Sequence, residues 1–546
     1  MVITIVVVVS GSIVDILGKR IYKGLLRVEN GRIVDIKEKE DVQSVYILPG
    51  LVDAHIHIES SLLVPSQYAK LALSHGVIAA ICDPHEIGNV MGKEGIEFML
   101  SDGKKVKFKF YFGAPPCVPA TEFERSGAEL GVSEIEELLG RDDVKFLSEV
   151  MDVQGVLTKR DDLIRKMEIA KSLKKPIDGH APKLTGDLLI KYVKSGITTD
   201  HEVTNIDEAK EKIEAGLKII LRDGSASKDF QNLYPLIKEY PSMCMIGSDD
   251  KSPDDLKKGY LDFSVKLALS RGIDIFDVLY AAILNPALHY GLEIGLLRIN
   301  DPADFIVVDN LRDLKILKTY VDGILVYSDN CLLFEDVKPE KINNFLAEKI
   351  KEEDIWIPVK GKRIRVIKVE EGSILTGTSL ETVTEKDGLA VSDVKRDILK
   401  VVLLDRYSKE KRVRCGFVKG FGLKEGAMAT SVSHDSHHIV AVGCEDRDIV
   451  EAVNMVVESK GGMAFYSKRL AEFIPLPIGG LMSDLDSFDV ASRYENLNRV
   501  LVDCGVSLSH PYMTLSFVAL PVIPELRITT RGLFDVGLKR WVDLFL

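Results

Sequence analysis

Short apolar runs recur along the first half of the chain, and the texture between them changes near residue 50. Before that point the pattern reads as brief strands and turns at residues 3–9, 12–17, 24–29 and 31–36, punctuated by Gly11 and Asn30-Gly31. Asn-Gly between two such runs is a strong hairpin signal, because both residues tolerate the positive φ of a tight turn. After residue 50, apolar runs of strand length alternate with longer charged stretches. The runs are 48–58, 77–82, 106–112, 146–150, 176–177, 196–199, 217–221 and 243–246, and residues 87–100, 133–139, 161–173 and 206–215 between them have helical spacing. Eight β/α repeats within about 200–250 residues predict an α/β fold built on a TIM-like (β/α)8 barrel, which gathers its strand ends at one rim. Doubly wound sheets alternate in the same way, so this expectation rests on the count of repeats and on the chemistry of the strand ends.

After a helical stretch at 275–284, β-rich material returns at 295–309, followed by a hairpin of 316–321 and 324–327 around Asp322-Gly323. Its texture matches the first 50 residues. The expected organisation is therefore a small flanking β domain from 1–49 and 296–340, built from both sides of a barrel at 50–295. The densest charge run predicts a linker at 341–362. A C-terminal α/β domain follows at 363–546, with turns at Gly416, Gly420, Gly422 and Gly426 and a loop at 475–483. The glycines lack the GK[ST] signature of a phosphate loop.

Composition excludes more than it selects. The net charge of -12 argues against a nucleic-acid surface, which needs clustered Lys and Arg. Seven scattered cysteines without a CxxC pair suit reduced thiols in a cytoplasmic protein. The apolar run at 3–9 is far shorter than the ~20 residues of a membrane span and has no basic flank, so a buried first strand and no membrane partner are expected.

The chemistry lies where the predicted strands close. Strand one ends in His55-Ile-His57, whose alternation puts both imidazoles on one face. Strand two ends in Asp83-Pro-His85-Glu86, strand four in Glu149, strand five in Asp178-Gly-His180, strand six in Asp200-His201-Glu202, and strand eight in Ser248-Asp249-Asp250. A barrel makes these residues neighbours. Four imidazoles with carboxylates form a mixed N/O donor set that suits Zn, Mn or Fe(II). The set exceeds what one ion with an open position needs, so two are expected: one on His55, His57 and Asp249, one on His180 and His201, with Glu149 bridging. Such a pair acidifies a water to hydroxide near neutral pH. His75 and His289 lie off the strand ends and read as ordinary structural histidines.

These residues resemble the metal-dependent amidohydrolase superfamily and, within it, the adenine deaminase family. The broader signals are Pro49-Gly-Leu-Val-Asp-Ala-His-Ile-His57 and Ala303-Asp304; the narrower ones are His57-Ile-Glu-Ser-Ser61, Asp83-Pro-His-Glu-Ile87, Cys117-Val-Pro-Ala-Thr121, Glu149-Val-Met, Asp178-Gly-His-Ala-Pro182 and Asp200-His-Glu202. Gly416-Phe-Val-Lys-Gly-Phe-Gly422, His434-Asp-Ser-His437 and Pro475-Leu-Pro-Ile478 extend the resemblance into the last domain. Glu149 stands where hydantoinases and dihydroorotases carry a carboxylated lysine, which disfavours those relatives. The zinc deaminase class with P-C-x-x-C is excluded, because Pro116-Cys117 has no second cysteine three residues on.

The resemblance implies hydrolytic deamination of adenine to hypoxanthine and ammonia by a metal-activated hydroxide, in purine salvage. Two divalent ions per chain are expected, Mn or Fe(II) ahead of Zn, in a cytoplasmic homo-oligomer, a dimer in first place. Asp249 can ligate metal and act as general base, and His85 or Glu86 can protonate N1 or hold the ring. Glu59, Asp250 and His437 are candidate substrate contacts. Asp178, Asp200 and Glu202 are expected to orient His180 and His201 from behind. For the segment His434–His438 three roles stay open: closing the barrel mouth, binding a further metal, or hydrogen-bonding within a turn. Two other functions also stay open: an amidohydrolase acting on a cyclic amide or another aminopurine, and a non-catalytic scaffold on the same barrel.

Overall fold

Leu51–Ile56, buried at every position, opens a ring of eight parallel strands in the computed structural model, which describes residues 6–546. Val77–Cys82, Lys109–Ala114, Val144–Val150 and Ile177–Gly179 follow it in one five-stranded segment; Thr199–Asp200, Lys218–Arg222 and Cys244–Gly247 form a three-stranded one. Two seams close the ring. Thr198 N–H donates to the Ile177 carbonyl at 2.9 Å, and Ser248 N–H donates to the His55 carbonyl at 3.1 Å beside a parallel bridge between Ile56 and Asp249. At the second seam Gly247 is required, since a Cβ there would lie 3.1 Å from both the nitrogen and the oxygen of the His55 backbone. The strands are near-continuous apolar runs because the barrel interior covers one face and helices the other. Amphipathic helices fill that outer layer: Val132–Leu139 buries Ile135, Leu138 and Leu139, and Ile206–Glu214 starts at Asn205, whose side chain accepts the Glu208 N–H.

Each of the eight apolar runs overlaps a barrel strand. Two of the shifts in boundary have a physical reason. The run 48–58 divides at Gly50: Tyr46–Pro49 belongs to the flanking sheet, and only Leu51–Ile56 enters the barrel. Strand three is Lys109–Ala114 rather than 106–112, because Val106 and Phe108 serve apolar packing below it, where the rings of Phe108 and Phe110 lie 4.5 Å apart.

The flanking sheet has eight strands, in the order Cys331–Leu332, Ile324–Ser328, Ile316–Val321, Phe305–Val308, Tyr46–Pro49, Val6–Asp15, Arg20–Glu29 and Arg32–Glu38. Phe305 pairs with Pro49 and Val308 with Tyr46, so segments from both sides of the barrel meet in its middle. The runs 3–9 and 12–17 form one strand, Val6–Asp15, with residues 3–5 outside the described region. Gly11 does not turn the chain; it admits a close approach, since a Cβ there would lie 2.9 Å from the Val45 carbonyl oxygen.

The charge-rich segment 341–362 is packed instead of free: Ile350 and Ile355 are buried in a cluster with Ile449, Val453 and Val456 of the helix Asp446–Glu458. The last domain is an eight-stranded sheet ordered Gly377–Thr382, Arg363–Lys368, Val413–Lys419, Ile398–Leu404, Ile439–Gly443, Ala427–Thr430, Gly462–Tyr466 and Ala471–Pro475. It is joined to the barrel through Ser483, whose N–H donates to the Leu62 carbonyl at 2.8 Å. All seven cysteines are free thiols. Among the described residues no helix is long and apolar enough to cross a membrane.

Candidate metal and catalytic site

The barrel brings His55, His57, Glu149, His180, His201 and Asp249 to one rim. His57 donates from Nδ1 to the Asp83 carbonyl at 3.2 Å, which leaves its Nε2 lone pair directed inward. That Nε2 lies 3.3 Å from Asp249 Oδ1 and 3.4 Å from Glu149 Oε1. Glu149 divides its two oxygens: Oε1 faces His57 and His85, while Oε2 lies 2.7 Å from His180 Nδ1 and 3.1 Å from His201 Nε2. The rings of His55 and His201 stack at 4.1 Å between centroids.

These residues fit a divalent metal. Both ring nitrogens of His55 are buried without a hydrogen-bond partner, a costly arrangement unless a ligand occupies one of them. Burial and the neighbouring His201 and His57 rings hold His55 well below its ordinary pKa, in the neutral form that ligates. Against the cost of burial, the His180 and His201 imidazoles keep Glu149 anionic, well below the usual carboxylate range. Spacings near 3.3 Å are what bonds of about 2.0–2.1 Å in a tetrahedral shell produce.

Two carboxylates frame the site. Asp83 accepts from His85 N–H at 3.1 Å, Ser148 Oγ at 2.8 Å and Glu149 N–H at 3.1 Å, so it clamps strand two to strand four. Asp53 does the same across the closing seam, accepting from His55 N–H at 3.0 Å, Ser248 N–H at 3.1 Å and the Tyr260 hydroxyl. Sequence reasoning gave Asp53 no role. Its position two residues before His55, on the same strand face, was the available signal.

Asp178, Asp200 and Glu202 differ from expectation. Asp178 accepts from Thr199 Oγ1 at 2.8 Å and from the Tyr290 hydroxyl, and Asp200 accepts from the N–H groups of Ala181 and Glu202 and pairs with Lys212 at 2.6 Å. Neither carboxylate accepts a hydrogen bond from an imidazole, and His201 Nδ1 is buried with no partner. The reason at Asp200 is strand alternation: next to His201, it points away from the site toward the helical layer. Glu202 stands beside the imidazoles and not behind them, with Oε1 3.9 Å from His180 Nδ1 and 3.8 Å from His201 Nε2.

Strand seven contributes Arg222, which sequence reasoning also missed. It directly follows the run 217–221, so the strand-end rule would have found it. Its Nη1 donates to Asp249 Oδ2 at 2.9 Å and to Glu202 Oε1.

The last domain reaches this rim through His434–His438. His437 accepts the Ser433 N–H on Nδ1 at 3.1 Å, so Nε2 carries the proton and donates to Glu86 Oε2; His434 Nδ1 contacts Glu86 Oε1. The His434 ring stacks on Phe517, 4.9 Å between centroids. Phe517 had no sequence signal. Asp435 Oδ1 lies 3.9 Å from His85 Nε2, and its Oδ2 is buried and unpartnered. His85 Nδ1 lies 3.2 Å from Glu149 Oε1, which makes His85 the link between the metal-ligating cluster and the roof. Nearby, Asp250 accepts from Ser60 Oγ, and burial with the adjacent Asp249 charge raises its pKa. Glu59 accepts the Ile87 N–H at 3.0 Å through one oxygen; the other is buried and free, and burial pushes the carboxyl up to about 7.

Residues 46–326 match the amidohydrolase family, and residues 373–540 match the adenine deaminase C-terminal domain. The chain is similar to the adenine deaminase of Methanosarcina mazei, 48% identical over 98% of this chain and 99% of that protein. It is also similar to the adenine deaminase of Salinibacter ruber, at 46% identity over 98% of each. Among solved structures, a beta-aspartyl dipeptidase from Fervidobacterium islandicum AW-1 aligns at TM-score 0.47 and 15% identity, over 61% of this chain and 99% of that one.

Proposed function

The chain belongs to the adenine deaminase family of the amidohydrolases, and on that premise we infer that its barrel-rim site hydrolyses adenine to hypoxanthine and ammonia. The convergence of four imidazoles, Glu149 and Asp249 in overlapping ligand groups at one barrel rim is the observation that carries this reading. Cyclic-amide hydrolysis, another aminopurine and a scaffold role find no support among the relatives.

Two ions are proposed, one toward His55, His57 and Asp249 and one toward His180 and His201, with Glu149 reaching both; Mn or Fe(II) stands ahead of Zn. When bound, divalent metal supplies a water acidified to react at neutral pH. The chain does the rest. Attack at C6 requires a base for the water's proton, a proton at N1 and a second proton on the leaving amine. Asp249 is the base, since its Oδ1 faces the ligand cluster, and the proton it takes from the water is the one it returns to the leaving amine. N1 protonation is assigned to His85 in preference to Glu86, because both Glu86 oxygens are already engaged by His434 and His437. Glu86 then holds the roof in place. Asp250 and Glu59 are assigned to the purine edge, where the Glu59 carboxyl, pushed up to about 7 by burial, can donate as well as accept.

Action in purine salvage as a cytoplasmic homo-oligomer, a dimer in first place, without nucleic-acid or membrane partners, belongs to the same reading; the acidic charge speaks against a nucleic-acid partner and the free thiols suit the cytoplasm. The test is an adenine-to-hypoxanthine absorbance assay with ammonia detection, on apoprotein reconstituted separately with Mn, Fe(II) and Zn. Ammonia from adenine, and none from guanine, cytosine or hydantoin, is expected. Silence with all three metals would sink the reading.

A further inference from the structure

Arg222 closes barrel strand seven with 3% of its side chain exposed, and its guanidinium faces three carboxylates. Nε and Nη2 both donate to Asp229 Oδ2, at 3.1 and 2.8 Å. Nη1 turns the other way, one hydrogen for Asp249 Oδ2 at 2.9 Å and one for Glu202 Oε1. Anchoring the loop at Asp229 would need only Nε and Nη2. The third nitrogen is spent on the site.

Asp249 is the residue whose geometry most needs fixing. It adopts φ 54°, a left-handed conformation that a non-glycine residue takes at a cost. Its backbone is held by its N–H on the His55 carbonyl at 2.9 Å and by the His57 N–H on its own carbonyl at 3.4 Å. Rotation of the carboxylate is the freedom that remains, and Arg222 removes it. With Oδ2 on the guanidinium, Oδ1 faces His57 Nε2 at 3.3 Å and His55 Nε2 at 3.8 Å. Glu202, held by the same Nη1, stands on the opposite half of the cluster beside His180 and His201.

We propose that Arg222 is a positioning residue of the deamination site: it selects the Asp249 oxygen that faces the metal position and ties Asp249 to Glu202 across the two halves. The proposal rests on the reading of Asp249 as ligand and base. A planar fork is required, because an ammonium is a point charge that cannot set two carboxylates at fixed angles.

Three variants of the metal-loaded enzyme test it: Arg222→Ala, Arg222→Lys and Asp229→Asn. Arg222→Ala is expected to surrender metal at a chelator concentration at which the parent retains it. Its kcat should fall about 10–100-fold, the usual loss for a residue that orients a ligand, with KM within about threefold of the parent. Guanidinium chloride at sub-denaturing concentration should restore both readouts, which a merely structural loss would not allow. Arg222→Lys, which fills the space and keeps the charge, should show the same losses, and it serves in place of the alanine variant if that one fails to fold. Asp229→Asn should retain metal like the parent. Parent-like metal retention in Arg222→Lys, or equal losses in Asp229→Asn, overturns the proposal. Metal retention is read without adenine, so a parent that binds metal but releases no ammonia would defeat the functional reading alone.

Discussion

Glu86 and His437 stand 351 positions apart in sequence, yet His437 Nε2 donates to Glu86 Oε2 at the mouth of the barrel. The last domain thereby holds a carboxylate that strand two delivers. His434 grips the other oxygen of the same group, and against the cost of burial the two imidazoles keep Glu86 well below the usual carboxylate range. A carboxylate so engaged is a structural keystone of the roof over the site.

Replacing His437 by Ala should therefore lower kcat/KM for adenine without changing metal content. The loss expected is about 10-fold or more, since one charge-assisted hydrogen bond to a buried carboxylate is worth roughly 1.5–3 kcal/mol. Steady-state kinetics beside metal analysis checks this. An unchanged kcat/KM would remove His437 from any role in closing the site.

Glu149→Ala should abolish tight binding of metal on both halves of the cluster, because Oε1 and Oε2 face different imidazoles. Activity should fall by more than the about 10–100-fold typical of residues that merely orient a ligand. Metal analysis after dialysis is the direct measurement. A variant that still holds two ions per chain would contradict the bridging assignment.

His289 provides a pH signature away from the site. Its Nε2–H donates to Thr198 Oγ1 at 3.2 Å, whose own hydrogen goes to the Ile177 carbonyl, and burial, with Lys218 nearby, pushes its pKa down to about 4. Between that value and the unfolded pKa near 6.5, the unfolded chain binds a proton that the folded chain does not. The neutral-histidine stability is thus fully present above about 6.5 and is lost as pH falls toward 4. His289→Gln should flatten this acid limb by on the order of 2 kcal/mol. Urea midpoints at pH 7 and pH 4.5 measure the difference; parallel losses in parent and variant would refute it.

The sequence by itself determined the barrel and the inventory of its rim. Eight apolar runs could be read because a strand buried on both faces leaves a local, contiguous signature. His55, His57, Glu149, His180, His201 and Asp249 could be read because each closes such a run, and a barrel turns sequence-distant ends into neighbours. Tertiary structure decided the rest. Arg222 is equally visible at a strand end, but its aim toward the Asp249 carboxylate could not be read, because the direction of a long side chain is set by what packs around it. Gly50 separates two sheets only because Tyr46–Pro49 finds Phe305–Val308 as a partner. Asp178 and Asp200 were placed behind the imidazoles by proximity in sequence, whereas Tyr290 and Lys212 claim them in space. The roof of His434, His437 and Phe517 depends on the docking of a whole domain, and no periodicity within one segment encodes which carboxylate another segment will meet.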